Sequence, residues 1–307
     1  MTQKTKIGII GLDTSHVIAF AKILQDPANE YHIPGFELTA AFPGGSPDME
    51  ASRSRVQGYT DELRNEYGVV MKDTIAEVAG AVDAILLESV DGRVHKDQFA
   101  ELAPFGKPVF IDKPLATSVA DALAIAQLAR QHSVPVMTSS ALRYSEPFQA
   151  ALQAEGEPFG IDCSGPMAIQ PPQPGVFWYG VHTTEMLFTA LGPDCLQVQA
   201  QTNDDHDVLV GTWRDGRLGT LRGNRVGSNQ FSALLHFTDG IRFVDVASSA
   251  KPFYASLLEQ ITQFFLSGQS PIPLWDSLQI VNFMESANES RITGRPVPLQ
   301  DLSAHMD

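Results

Sequence analysis

The sequence predicts an α/β protein: a doubly wound parallel sheet with helices on both faces, followed by a second α/β domain built on a large, open, mostly antiparallel sheet. Three observations predict it. Strand-like apolar runs alternate with helical patterns through the first half of the chain. After about Arg143 the texture changes and prolines multiply. Beyond that point short strand-like runs follow one another across turn signals. With 307 residues, 43% of them hydrophobic and 8% aromatic, the chain can bury a core in each of two domains. They are placed at 1–143 and 144–307.

In the first half, strands expected at 6–10, 37–42, 84–87 and 109–111 precede helices at 17–24, 51–67, 95–102 and 119–131, and a strand at 134–138 closes the series. Asp13 or Thr14 is placed to cap the first helix, whose Val17, Phe20, Ala21 and Leu24 fall on one face. In the second half, Pro147, Pro158, Pro166 and the tract Gln170-Pro-Pro-Gln-Pro-Gly175 come before strands expected at 197–202, 208–213, 218–222, 231–237 and 241–246. Arg214-Asp-Gly-Arg217 and Thr238-Asp-Gly240 read as hairpin turns, so the strands are expected as neighbours in a meander. Helical patterns at 253–266 and 274–290 end at Gly268 and before Gly294 and Pro296.

Asp and Glu number 36 against 21 Lys and Arg, a formal charge of −15 scattered along the chain. That argues against nucleic acid or an anionic membrane as the partner. Cys163 and Cys195 have no metal-like spacing and no second pair, so neither a disulfide framework nor a cysteine zinc site is expected. No secretory leader and no run of about 20 apolar residues is found, and a cytoplasmic home is expected.

The first strand ends in Ile9-Ile10-Gly11-Leu12-Asp13-Thr14-Ser15-His16, in the place where a dinucleotide fold carries G-x-G-x-x-G. Only the first glycine is present. Asp13 holds the place of the second and His16 that of the third. A carboxylate there repels a diphosphate, whereas Thr14, Ser15 and the helix N-terminus favour an anion. Gly11, Leu12, Thr14, Ser15 and His16 are therefore the candidate cofactor contacts of this turn. The acid that grips a ribose after the second strand is missing: the chain reads Pro43-Gly-Gly-Ser-Pro-Asp48, with Ser46 nearest. Arg53 and Arg55 follow and suit either a 2′-phosphate or a plain solvated loop. Asp13, His16, Glu88 and Asp91 stand at strand ends with metal-ligating side chains, but their spacing demands no ion and no metal is expected.

Two longer stretches carry a resemblance: Val82-Asp-Ala-Ile-Leu-Leu-Glu-Ser-Val-Asp-Gly-Arg-Val-His95 and Phe105-Gly-Lys-Pro-Val-Phe-Ile-Asp112-Lys113-Pro114-Leu115. Arg143-Tyr144, Gly180-Val-His182, Glu285-Ser-Ala-Asn-Glu-Ser290 and Gly294-Arg-Pro-Val-Pro-Leu299 follow in order. The series resembles the glucose-fructose oxidoreductase and inositol dehydrogenase (Gfo/Idh/MocA) family, whose Glu-Lys-Pro motif is Asp112-Lys113-Pro114 here. The resemblance implies a Rossmann domain followed by an α/β domain, with NAD or NADP as cofactor. It further implies oxidation or reduction of a sugar, polyol or related alcohol, and a homodimer or homotetramer formed through the C-terminal sheet. It makes Lys113 the lysine between substrate and nicotinamide and His182 the catalytic acid/base. Ser89, His95 and Asp112 join Lys113 as cofactor contacts, and Arg143, Trp178, Tyr179 and Glu185 join His182 around the substrate.

These residue types suit the chemistry. Hydride leaves an alcohol carbon only as the hydroxyl proton is removed, which calls for a base and a cation to stabilise the developing alkoxide. The Asp that the family often carries four residues before its histidine is Trp178 here. Glu185 and Tyr179 are the candidates to orient the imidazole in its place. His95 reads either as a nicotinamide neighbour or as a helix-start histidine bonded to backbone. Two further readings are open: a non-redox member that binds a sugar-like ligand or serves as an accessory subunit, with cofactor binding lost at Asp13, and a redox-neutral lyase-like or epimerase-like cycle.

Overall fold

The computed structural model describes residues 4–153 and 156–305. The chain folds as two compact units, one within Met1–Ala116, Ala120–Thr138 and Leu258–Leu274, the other within Thr117–Val119, Ser139–Leu257 and Trp275–Asp307.

The first unit runs β1 (Thr5–Ile10), α1 (His16–Gln25), β2 (Phe36–Phe42), α2 (Glu50–Arg53), α3 (Val56–Tyr67), β3 (Val70–Met71), α4 (Ile75–Ala81), β4 (Ala84–Leu87), α5 (His95–Leu102), β5 (Val109–Ile111), α6 (Val119–His132) and β6 (Val136–Thr138). Its six strands lie in the order β3-β2-β1-β4-β5-β6, and every pairing is parallel. Strands covered on both faces read as continuous apolar runs, and β4 is buried along its whole length. Gly8 on β1 has no side chain because a Cβ there would come within 2.5 Å of Val78 Cγ1 on α4.

The single helix expected at 51–67 is two, broken at Ser54 and Arg55. Ser54 Oγ donates to the Glu50 carbonyl at 2.7 Å, the local side-chain bonding that competes with helix continuation. The alternating runs omit β3 and α4. The signal for α4 is a cap: Thr74 Oγ1 accepts from the Glu77 amide at 3.2 Å while Glu77 Oε2 accepts from the Asp73 amide at 3.0 Å.

The second unit contains α7 (Glu146–Leu152), β7 (Gly160–Pro166), α8 (Gly180–Leu191), β8 (Cys195–Thr202), β9 (His206–Trp213), β10 (Leu218–Asn224), β11 (Ser232–Phe237) and β12 (Gly240–Asp245). The chain ends with α9 (Phe253–Ser267), α10 (Leu274–Thr293) and β13 (Val297–Pro298). The sheet order is β12-β11-β7-β10-β9-β8-β13. Both expected hairpins form, but the meander does not run through. Strand β7 inserts between β11 and β10 and pairs parallel with β10. Prolines and glycines disguised it, yet its inward positions still alternate as Ile161, Cys163 and Gly165. On β9 the inward series is Asp207, Leu209, Gly211 and Trp213, with Trp213 Nε1–H donating to the Gly192 carbonyl at 2.8 Å. No described helix is long and apolar enough to cross a membrane.

Candidate active site

In the first unit the strand order reverses between β1 and β4, and in such sheets ligands lie at the carboxyl ends of the strands at that switch point. Gly11 leaves β1 with φ +85°, and a Cβ there would stand 2.5 Å from the backbone N of Ser89. Glycine is thus required by conformation and by the close approach of the β4 loop. The Gly11 and Leu12 amides donate to Phe42 and Pro43 carbonyls at 3.0 and 2.8 Å, fixing the start of the turn. Helix α1 then begins at His16, after Ser15 as N-cap with no side-chain cap bond, so Asp13 does not cap it. Thr14 Oγ1 accepts only a long 3.5 Å bond from the His16 amide, and Ser15 is exposed.

Asp13 is turned inward. Its carboxylate accepts from Ser52 Oγ at 2.6 Å and from the Val90 amide at 2.8 Å, and the residue is fully buried. Burial raises its pKa, against the lowering effect of those two bonds. The expected repulsion of a diphosphate by a carboxylate facing the turn therefore does not describe this side chain. Asp91 is likewise committed to Arg93, which also grips Asp48 at 2.8 Å. Burial opposes the Asp91 charge, but the bonds from Arg93 and Ser46 outweigh it and hold the pKa low. Of the loop arginines, Arg53 pairs with Glu50 and Arg55 is exposed.

His16, Glu88 and Asp112 come together at the ends of β1, β4 and β5. His16 Nδ1 lies 3.4 Å from Asp112 Oδ2 and 3.7 Å from Glu88 Oε2, and Lys113 Nζ lies 3.9 Å from Asp112 Oδ2. Burial pushes the Glu88 carboxyl up to about 7, and the Asp112 charge beside it acts in the same direction. At Asp112 burial is outweighed by the Lys113 and His16 cations, which hold its carboxyl well below the usual range. Burial opposes charge on His16 too, yet Asp112 and Glu88 raise it to about 9. Its ring stacks on Phe20 at 5.6 Å.

Ser89 and His95 are placed differently from one another. Ser89 Oγ is buried without a hydrogen-bond partner. His95 is fully buried, with ring nitrogens 2.7 Å from the Ser89 carbonyl and 2.9 Å from the Pro114 carbonyl. It ties the β4 loop to the Asp112-Lys113-Pro114 loop through backbone carbonyls.

In the second unit His182 sits in the first turn of α8. Its Nδ1 is 2.7 Å from Ser140 Oγ, and Tyr179 and Phe231 each pack edge-on against its ring at 5.5 Å. Gly165 makes room for Phe231, since a Cβ there would lie 2.6 Å from Phe231 Cε1. Trp178 is buried, its ring 5.9 Å from Tyr179. Glu185 Oε1 accepts from Arg143 Nε at 2.5 Å and from Ser139 Oγ at 3.1 Å. Arg143 keeps a buried Nη2 with no hydrogen-bond partner. Ser139 and Ser140 are the partners of these candidate residues that the motifs missed. The signal for Ser140 is local, because its Oγ also accepts from the Leu142 amide and starts a short 3-10 helix.

A three-two-one-four-five-six parallel sheet with a glycine turn at its switch point defines a Rossmann-type fold. Residues 5–140 match the model of the Gfo/Idh/MocA oxidoreductase family with NAD-binding Rossmann fold. The whole fold resembles myo-inositol 2-dehydrogenase from Lactobacillus plantarum at 16% identity and a TM-score of 0.80, covering 97% of this chain and 100% of that one. GenD2 from gentamicin A biosynthesis, solved with NAD, aligns at 18% identity and 0.78 over 98% and 97% of the two chains. Myo-inositol dehydrogenase from Lactobacillus casei, solved with NAD(H) and myo-inositol, aligns at 14% identity and 0.74 over 97% of each. No curated protein matches the chain by sequence.

Proposed function

We propose that the protein is an NAD(P)-dependent oxidoreductase acting on a CH–OH group of a sugar, polyol or related alcohol. Residues 1–143 serve the cofactor, and residues 144–307 serve the substrate and self-association into a dimer or tetramer. The observation that carries this reading is the turn after β1. It offers an uncapped helix N-terminus and a positive-φ glycine, while the one carboxylate in the motif is turned inward. Such an end favours a pyrophosphate through its open amides and the helix dipole. Thr14 and Ser15 hold that group, with Gly11 and Leu12 shaping the turn beneath it and His16, Ser89, Asp112 and Lys113 toward the nicotinamide end.

When bound, the dinucleotide accepts or donates the hydride. The chain's own residues handle the proton and the charge. Ser140 Oγ holds His182 Nδ1 at 2.7 Å, and in the tautomer with Nδ1 protonated toward Ser140 it is Nε2 that takes the proton of the substrate hydroxyl. Lys113 supplies the cation that stabilises developing alkoxide charge. Arg143, held by Glu185, offers its remaining Nη2 donors to a substrate oxygen. Tyr179 and Trp178 provide an aromatic wall of the kind on which sugar C–H faces pack.

The test is titration with NADH and NADPH, followed by nicotinamide fluorescence and thermal shift, and then a sugar and polyol panel with Lys113→Ala and His182→Ala as controls. Saturable binding of one cofactor and loss of turnover in both variants are expected. Lack of binding by either cofactor removes the dehydrogenase reading, and wild-type rates in both variants remove the catalytic assignments.

A further inference from the structure

We propose that His16, Glu88 and Asp112 form a binding site for one divalent transition-metal cation, of which Zn2+ and Mn2+ are the representative probes. The three side chains each bring one ligand atom, and all three atoms lie within 4.8 Å of one another. The closest separations, 3.4 Å from His16 Nδ1 to Asp112 Oδ2 and 3.7 Å to Glu88 Oε2, match the spacing of ligands around a shared ion. Metal–ligand bonds of roughly 2.0–2.2 Å at tetrahedral angles set neighbouring ligand atoms about 3.4 Å apart.

Independent of the cluster's composition is its unmet bonding. Glu88 and Asp112 are fully buried, and none of their four carboxylate oxygens has a hydrogen-bond partner; nor has His16 Nδ1. Buried polar atoms are rarely left so, and orphans that converge on one point indicate a missing ligand. A divalent cation satisfies these oxygens directly and takes the place of the imidazolium charge that His16 sets between the two carboxylates. Asp13 and Asp91 take no part, since each carboxylate is already bonded to protein donors.

The donor set points to the kind of ion. One imidazole and two carboxylates suit Zn2+, Mn2+, Fe2+ or Co2+, while Mg2+ and Ca2+ favour all-oxygen shells. Three protein ligands leave at least one coordination position open, as in catalytic and not closed structural sites. Lys113, beside Asp112, stays as a neighbouring charge and is not a ligand. His16 and Asp112 are also the residues proposed at the nicotinamide end of the cofactor, so the test is run without dinucleotide and does not use activity.

The test is isothermal titration of the chelator-treated full-length protein with Zn2+, Mn2+ and Mg2+, together with Mn2+ electron paramagnetic resonance. Wild type is expected to bind one equivalent of Zn2+ and of Mn2+, at least tenfold tighter than Mg2+. Glu88→Gln and Asp112→Asn, near-isosteric changes whose folding is checked by circular dichroism and melting temperature, are expected to weaken binding at least tenfold. His236→Ala, which removes the histidine paired with Asp162 on the second sheet, serves as a control for binding elsewhere and should leave the titration unchanged. Absence of saturable binding to wild type, or unaltered binding in both carboxamide variants, overturns the site. Equal affinity for Mg2+ overturns the assignment to transition metals.

Discussion

Ser52 donates a 2.6 Å hydrogen bond to the Asp13 carboxylate and at the same time accepts one from the Ser46 amide at 2.7 Å. Through this pair the turn after β1 and the loop after β2 are one bonded unit, with the Val90 amide adding the loop after β4. Asp13 replaces a motif glycine without charging the surface that an anionic ligand would meet, because its oxygens are used inside.

Ser52→Ala is therefore expected to destabilise the protein by about 1–3 kcal/mol, the cost of leaving a buried acceptor short of a donor. Urea denaturation measures it. Asp13→Gly restores the motif glycine but removes the staple, so it should lower stability as well and leave NADH affinity no tighter than wild type. A tenfold gain in affinity would show that the carboxylate faces the phosphates.

The Ser140–His182 contact predicts a split between binding and turnover. A positioning hydroxyl that holds the imidazole in place affects the proton-transfer step more than substrate affinity. For Ser140→Ala we expect KM within about twofold, a fall in kcat of roughly tenfold and a shifted limb in the pH–rate profile, against a loss of about 10²–10⁴ for His182→Ala. An unchanged pH profile with a raised KM would make Ser140 a substrate contact instead.

Much of the first unit was legible because buried parallel strands and their helices repeat two periods that sequence displays directly; the strand at Ala84–Leu87 and the helix at His95–Leu102 fall where the pattern puts them. Strand β7 was not, since its pairing partner β10 lies far along the chain and its glycines serve close packing, Gly165 against Phe231. The same limit applied to the site. Motifs marked His182 and Asp112, but the partners of these side chains, Ser140 for the first and His16 for the second, are set by strand order. Glu185 shows the reverse case: helical spacing put it on the His182 face, and tertiary packing gave it to Arg143.

The Arg143–Glu185 pair gives a prediction that separates stability from recognition. Both side chains are largely buried, and removing one partner of such a pair leaves an uncompensated charge. Glu185→Ala should cost about 3–5 kcal/mol. The double change Arg143→Met with Glu185→Leu replaces both charges by apolar groups and should recover most of that loss. If Arg143 Nη2 serves a substrate oxygen, the double variant will melt near wild type and still show a KM raised about tenfold or more, the scale of a lost charged hydrogen bond. Melting curves and steady-state kinetics on the same preparations decide it.

Acid stability is set in part by Asp207. This buried carboxylate on β9 accepts from Arg291 Nε at 2.9 Å and pairs with Arg225, joining the sheet to α10 and to the loop after β10. Burial opposes its charge, but the bonds from Thr202, Arg225 and Arg291 outweigh that and lower its pKa. The folded form therefore binds fewer protons than the unfolded chain between the two pKa values. The stabilisation is complete above the unfolded value of about 3.9 and is lost as pH falls through the folded value. Asp207→Asn should be less stable than wild type at pH 7 by about 3 kcal/mol, because two arginines lose their buried counter-charge. Below pH 4 the gap should narrow, as wild type protonates the same group. Denaturation series at pH 7, 5, 4 and 3 test this, and a gap that stays constant across the series would place the effect in packing and not in charge.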